Sequence, residues 1–83
     1  MIIKTFKLKK RTVDAVQYDG TPEMAEDLVA HIHNIEYDGC DLYFTGNYTE
    51  ELISENDWII LDGSSAVEIK SDDFIYDYFE EVK

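Results

Sequence analysis

Carboxylates dominate the residues of this chain that could do chemistry, with nineteen Asp and Glu against seven Lys and Arg. Carboxylates two residues apart on a strand lie ~6.7 Å from each other. Duplex DNA carries one charge every ~3.4 Å along each strand, so such a row could match every second phosphate. We expect a partner-binding surface built from two acidic sets, the second interleaved with tyrosines. They are Glu36 and Asp38, and Asp72, Asp73, Asp77, Glu80 and Glu81 with Tyr76 and Tyr78.

The histidines and the cysteine give weaker evidence of a functional site than the carboxylates do. His31 and His33 fall at the end of a predicted helix, where side chains two residues apart point about 200° away from each other. No further Cys or His residues cluster with them, so we expect no metal and no cofactor. Cys40 is the only cysteine. A nucleophilic cysteine needs a base within hydrogen-bond reach, which His31 or His33 could supply. Without a recognisable nucleophile–base motif, we interpret Cys40 as a small apolar residue or a free thiol.

Other catalytic and ligand-binding patterns are missing from the sequence. A glycosidase needs two carboxyl groups in different environments of one cleft, and a single small core rarely encloses such a cleft. Asp38-Gly39-Cys40-Asp41 does not fit the calcium-loop pattern. The four glycines are isolated from one another, so there is no phosphate-binding glycine loop. We therefore expect no enzymatic activity.

The charges are divided unevenly along the chain, whose net charge is −12. Five of the seven bases precede residue 12, whereas residues 12 to 82 hold every acid and the single base Lys70. Such a surface repels nucleic acid and anionic lipid and attracts basic proteins, so we expect no direct binding to either. An alternative is that the acidity only favours solubility. The basic segment could neutralise the acidic body or keep a strand edge from pairing.

The clearest local signal in the chain is a predicted helix start at Thr21-Pro22, within what we expect to be a single small domain. Eighty-three residues make a single domain, residues 1–83. Thr21 can cap a helix, and Pro22 suits its first position. Apolar side chains then recur at spacings of three and four up to Ile32, which predicts a helix over residues 22 to about 33 with one buried face.

The remaining segments are typical of strands. The predicted strands cover residues 4–10, 12–18, 35–37, 41–45, 48–54, 58–61, 66–70 and 76–82. A short helical turn is predicted from Ser71 through Ile75. Residues 58–61 form a continuous apolar run, which predicts a central strand covered on both faces. The fold class is thus α+β, with one helix packed on a curved antiparallel sheet of about five to seven strands.

Both ends of the chain resemble a family of small phage and prophage proteins whose function is not established. The resemblance lies in the basic start, in Asp14-Ala15-Val16-Gln17-Tyr18, in Asp57-Trp58-Ile59-Ile60, and in Asp73-Phe74 before Tyr78-Phe79-Glu80. Family members usually carry Pro-Gly where this chain has Glu55-Asn56, and often a basic residue and a proline where it has Ser71-Asp72. The resemblance implies a phage-type accessory protein and supplies no catalytic residues.

Charge and resemblance together predict a small acidic protein that binds and inhibits a basic, nucleic-acid-binding host protein. Its most concrete form is a DNA mimic directed at a defence nuclease, a CRISPR effector or a repair enzyme. The alternative is a self-associating structural or morphogenesis accessory of a phage, for example a homodimer. Lys4 interrupts the apolar start at once and no long apolar run exists, so we expect neither signal peptide nor membrane span. With one cysteine, the expected location is the host cytoplasm.

Overall fold

Two helices and eight strands make up the residues that the computed structural model describes, which are 2–8, 11–46, 50–78 and 80–81. In chain order these are β1 (Ile3–Leu8), β2 (Arg11–Gln17), α1 (Pro22–His31), β3 (Ile35–Tyr37), β4 (Leu42–Phe44), β5 (Glu51–Ile53), β6 (Trp58–Asp62), β7 (Ser65–Lys70), α2 (Asp72–Tyr78) and β8 (Glu80–Glu81). The predicted α+β class is confirmed.

The strands pair in two antiparallel sheets, where the sequence predicted one curved sheet. The larger sheet has the order β7-β6-β2-β1-β8, and the smaller one is the meander β3-β4-β5. The meander forms a separate sheet because β2 pairs with β6, so the segment between α1 and β6 has to fold across the larger sheet. Its buried side chains join one core cluster with those of α1, β2, β6 and β7.

β6 is buried on both faces, as its continuous apolar sequence predicted. Ile59 and Leu61 point into the core shared with α1 and the meander. Trp58 and Ile60 point into a second core, which α2 covers with Ile75. The central place in the larger sheet belongs to β2, however, since β7 alone lies outside β6.

α1 begins where the sequence indicated and ends two residues earlier than predicted. The Thr21 hydroxyl accepts a hydrogen bond from the Met24 backbone N–H at 3.3 Å, which caps the helix. At the other end, the backbone of His33 pairs with the start of β7, since Ala66 N–H donates to the His33 carbonyl oxygen. This pairing needs extended backbone at Ile32, so the helix stops at His31.

The carboxyl-terminal region differs from the prediction. The sequence predicted a short helical turn and then a strand over residues 76–82, but α2 continues to Tyr78 and β8 contains two residues. Ile75, with no exposed surface, anchors α2 over Phe6 and Trp58, and this burial favours helix over strand there. None of the helices in the described ranges is long and apolar enough to cross a membrane.

Candidate protein-binding surface

The outer side of the meander presents a row of three residues across its strands. Glu36 lies opposite Tyr43 on β4, and Tyr43 lies opposite Leu52 on β5. Directly opposed residues share a face of the sheet, with Cβ atoms about 4.5–5.5 Å apart. The inward residues of these strands, such as Leu42 and Ile53, are buried, whereas Leu52 is 51% exposed. The row therefore faces away from the core.

Carboxylates surround the tyrosine in this row. The Tyr43 hydroxyl donates a hydrogen bond to Asp41 Oδ2 at 3.4 Å. Partial burial raises the pKa of Tyr43, and the charges of Asp41, Asp38 and Glu50 raise it further. These acids therefore act on the same ring. We call this surface the acidic sheet face, and it comprises Glu36, Asp38, Asp41, Tyr43, Glu50 and Leu52. Residues 35–53 contain no Lys or Arg, so no cation of the meander itself offsets its charge.

Asp38 has a structural role in addition to its charge. Its Oδ1 accepts hydrogen bonds from the backbone N–H groups of Asp41 at 2.7 Å and Cys40 at 2.8 Å. These bonds hold the turn between β3 and β4 and lower the pKa of Asp38. Asp38 thus stays ionised at a lower pH than an ordinary aspartate does. Its hydrogen bonds also fix the turn that carries Asp41.

The second predicted set lies on α2 and β8, at the larger sheet. Asp72 Oδ1 accepts a hydrogen bond from Trp58 Nε1 at 2.8 Å and another from Gln17 Nε2 at 3.0 Å. Glu81 forms an ion pair with Lys4 at 3.2 Å. The two carboxylates therefore have internal partners, and the Lys4 pair shows a base of the amino-terminal segment neutralised within the molecule.

Asp73 and Tyr76 are exposed, and the Tyr76 ring packs edge-on against Phe6 and Trp58 with centroids 5.8 and 6.1 Å away. The predicted side chains of Asp77, Tyr78 and Glu80 lie outside the described part of the structure. Because residues 72–78 form a helix, the acids there do not have the even spacing of a strand. The structure therefore separates the two sets: Glu36 and Asp38 belong to the meander, whereas the second set lies on α2 and β8, at the larger sheet.

The sequence interpretation misses four residues of the acidic sheet face, namely Asp41, Tyr43, Glu50 and Leu52. The pairs Asp41/Tyr43 and Glu50/Leu52 each lie two apart in predicted strands, which puts their members on one face. That signal could have found them. It could not have shown that the two strands are neighbours with Tyr43 opposite Leu52.

The histidines and the cysteine are not gathered into a site in the described residues. His31 Nδ1 lies 3.3 Å from Asp27 Oδ1, one turn back on α1. Cys40 is exposed in the turn after β3. Within the described ranges, no group of three or more His, Cys, Asp or Glu side chains is placed to hold a metal ion.

Comparisons of the chain with protein-family models, curated proteins and solved structures find no match. The resemblance to small phage proteins therefore stays a prediction, and the acidic sheet face is the geometry from which a function can be inferred.

Proposed function

We propose that this chain is a non-enzymatic inhibitor that binds a cationic protein through the acidic sheet face. One observation carries the proposal: Tyr43 lies between Glu36 and an exposed leucine, with three further carboxylates acting on its ring, in a meander that contains no base. An aromatic or aliphatic anchor inside a charged rim is the usual anatomy of a protein-binding surface.

The parts of the face have complementary roles in binding. The carboxylates speed encounter with a basic surface and disfavour acidic partners. The Tyr43 ring can stack on a guanidinium group once the partner arrives. Leu52 supplies apolar area that is removed from water on contact, which is favourable by about 25 cal/mol per Å². A partner rich in arginine therefore fits best.

The target class that we propose is a nucleic-acid-binding protein of the host. Such proteins carry Lys and Arg where they neutralise phosphates, so a carboxylate surface competes for the same groups. The resemblance to phage proteins supports a target in host defence or repair, in the cytoplasm, with the chain acting as a DNA mimic. Self-association is the alternative, supported by Ile2 and Ile3, which are 75% and 49% exposed beside the basic start.

The experiment is affinity capture of DNA-binding proteins from bacterial lysate by the wild type and by Glu36→Gln/Asp41→Asn/Glu50→Gln. Asp38 is left unchanged because it holds the turn. We expect a basic protein that is released by salt and by duplex DNA. Exposed charge pairs contribute about 0.2–1 kcal/mol each, so the triple variant should bind about tenfold more weakly.

Glu26→Gln/Asp62→Asn/Glu68→Gln removes three carboxylates at exposed positions outside the acidic sheet face, so it is the charge-matched control and should bind as the wild type does. Equal capture by the triple variant would contradict the proposal. Sedimentation velocity at low and high salt tests the alternative, and a salt-insensitive oligomer that captures no basic protein would favour self-association.

A further inference from the structure

A groove of about 590 Å³ lies between the start of β1 and the first turns of α1, away from the meander. Ile2, Met24 and Trp58 form its apolar lining, and Asp19, Glu23 and Asp27 line it with carboxylates. None of these residues belongs to the acidic sheet face, so the groove is a separate feature of the molecule.

The apolar lining combines rigid and accessible parts. Trp58 is held in place by its hydrogen bond to Asp72 and by Phe6, whose ring centroid is 5.0 Å away. Met24 is half-buried, and Ile2 is 75% exposed at the rim. An exposed isoleucine beside a concave apolar surface leaves area that a partner's side chain can cover.

The charges around the groove favour a cationic occupant. Among the residues that the structure describes, Lys4 is the base that lines it, and Glu81 pairs with Lys4 at 3.2 Å. Asp19 accepts hydrogen bonds from the Thr21 hydroxyl and backbone N–H, which lower its pKa and keep it ionised. Asp19 and Glu23 also offset the positive end of the α1 dipole, which would otherwise favour an anion.

We propose that this groove binds a segment of a partner protein in which cationic and large apolar side chains alternate. The apolar side chain lies against Ile2 and Met24, and the cationic one meets Glu23. The occupant is a peptide segment because exposed apolar and acidic groups line the same groove. The inference goes beyond the acidic sheet face and does not depend on it.

Trp58, the only tryptophan of the chain, reports on the groove directly. The probe is a capped synthetic octapeptide of alternating arginine and leucine, titrated at 150 mM salt while Trp58 emission is recorded. We expect a saturable change in emission with the wild type. Glu23→Gln and Ile2→Ser, both at exposed positions, should each raise the Kd about two- to fivefold. Glu26→Gln, exposed on the same helix, is the matched control and should leave the Kd unchanged.

Two control peptides separate the parts of the proposal. Replacing leucine by serine, or arginine by glutamate, should abolish saturation. Equal binding of either peptide overturns the proposal, as does an equal effect of Glu26→Gln and Glu23→Gln. The triple variant of the acidic sheet face should bind the probe as the wild type does. If that variant alone lost binding, the peptide would bind the acidic sheet face, and the assignment of the binding site to the groove would be wrong.

Discussion

Single carboxylates of this chain differ in what they do, although the sequence shows them only as one excess of charge. Asp72 accepts hydrogen bonds from two side chains. Asp38 accepts two from the backbone. Glu36 lies exposed on an outward strand face. The first kind stabilises the fold through internal hydrogen bonds, and the last is available to a partner, so charge count alone overstates the binding surface.

Asp72→Ala tests the structural role of that aspartate. The indole N–H of Trp58, a residue only 1% exposed, would lose its acceptor, and a buried unpaired donor costs about 1–3 kcal/mol. We expect the free energy of unfolding in urea to fall by that amount. Asp72→Asn keeps a carbonyl oxygen and should lose less. Asp73→Ala removes the same charge from the next, exposed position and should change stability little; an equal loss there would contradict the assignment.

Among the elements, α2 shows most clearly how burial outweighs local pattern. The sequence predicted a helical turn through Ile75 and a strand from Tyr76 onward, where aromatic residues favour strands, but α2 continues to Tyr78. The helix forms because it puts Ile75 over the core of Phe6, Ala15, Trp58 and Ile60. Without α2, this face of the larger sheet would be open to water.

Ile75→Ala should therefore separate α2 from the sheet. Ile75 has no exposed surface, and isoleucine-to-alanine changes in cores cost about 2–5 kcal/mol. Hydrogen exchange should show amides of α2 opening more readily than those of β2. Val67→Ala is the control, because Val67 is 39% exposed on β7 and should cost little. Unchanged protection of α2 in Ile75→Ala would show that another contact holds the helix.

Taken together, the charges make the molecule strongly anionic, and its bases are unevenly distributed along the sequence. The net charge is −12, and the bases are concentrated before residue 12. Like charges at this density repel one another and destabilise the compact state, and at physiological ionic strength salt screens the repulsion between charges more than about 8 Å apart.

The melting temperature should consequently rise when salt is increased from 10 to 150 mM. Glu26→Lys reduces the repulsion on α1 next to Glu23, so it should raise the melting temperature more at low salt than at high salt. Glu26→Gln should give an intermediate effect. Scanning calorimetry measures both, and a melting temperature that falls with added salt would mean that ion pairs such as Lys4–Glu81 outweigh the repulsion.

The order of elements and the binding chemistry could be predicted to different extents. The cap at Thr21, the apolar stripe of α1 and the doubly buried Trp58–Leu61 segment are local patterns, and the structure confirms them. Each depends on hydrogen bonds or side-chain periods within a few residues, which the order of residues determines directly.

Contacts between segments far apart in the chain decided the sheet topology, the end of α1 and the grouping of the binding residues. The division into two sheets follows from β2 pairing with β6 across forty residues of chain, and the end of α1 follows from His33 pairing with Ser65. The acidic sheet face exists because the meander places Glu36, Tyr43 and Leu52 side by side. Asp72 is bound to Trp58 and Gln17 for the same reason. Charge is a property of composition, whereas the grouping of charges is a property of packing.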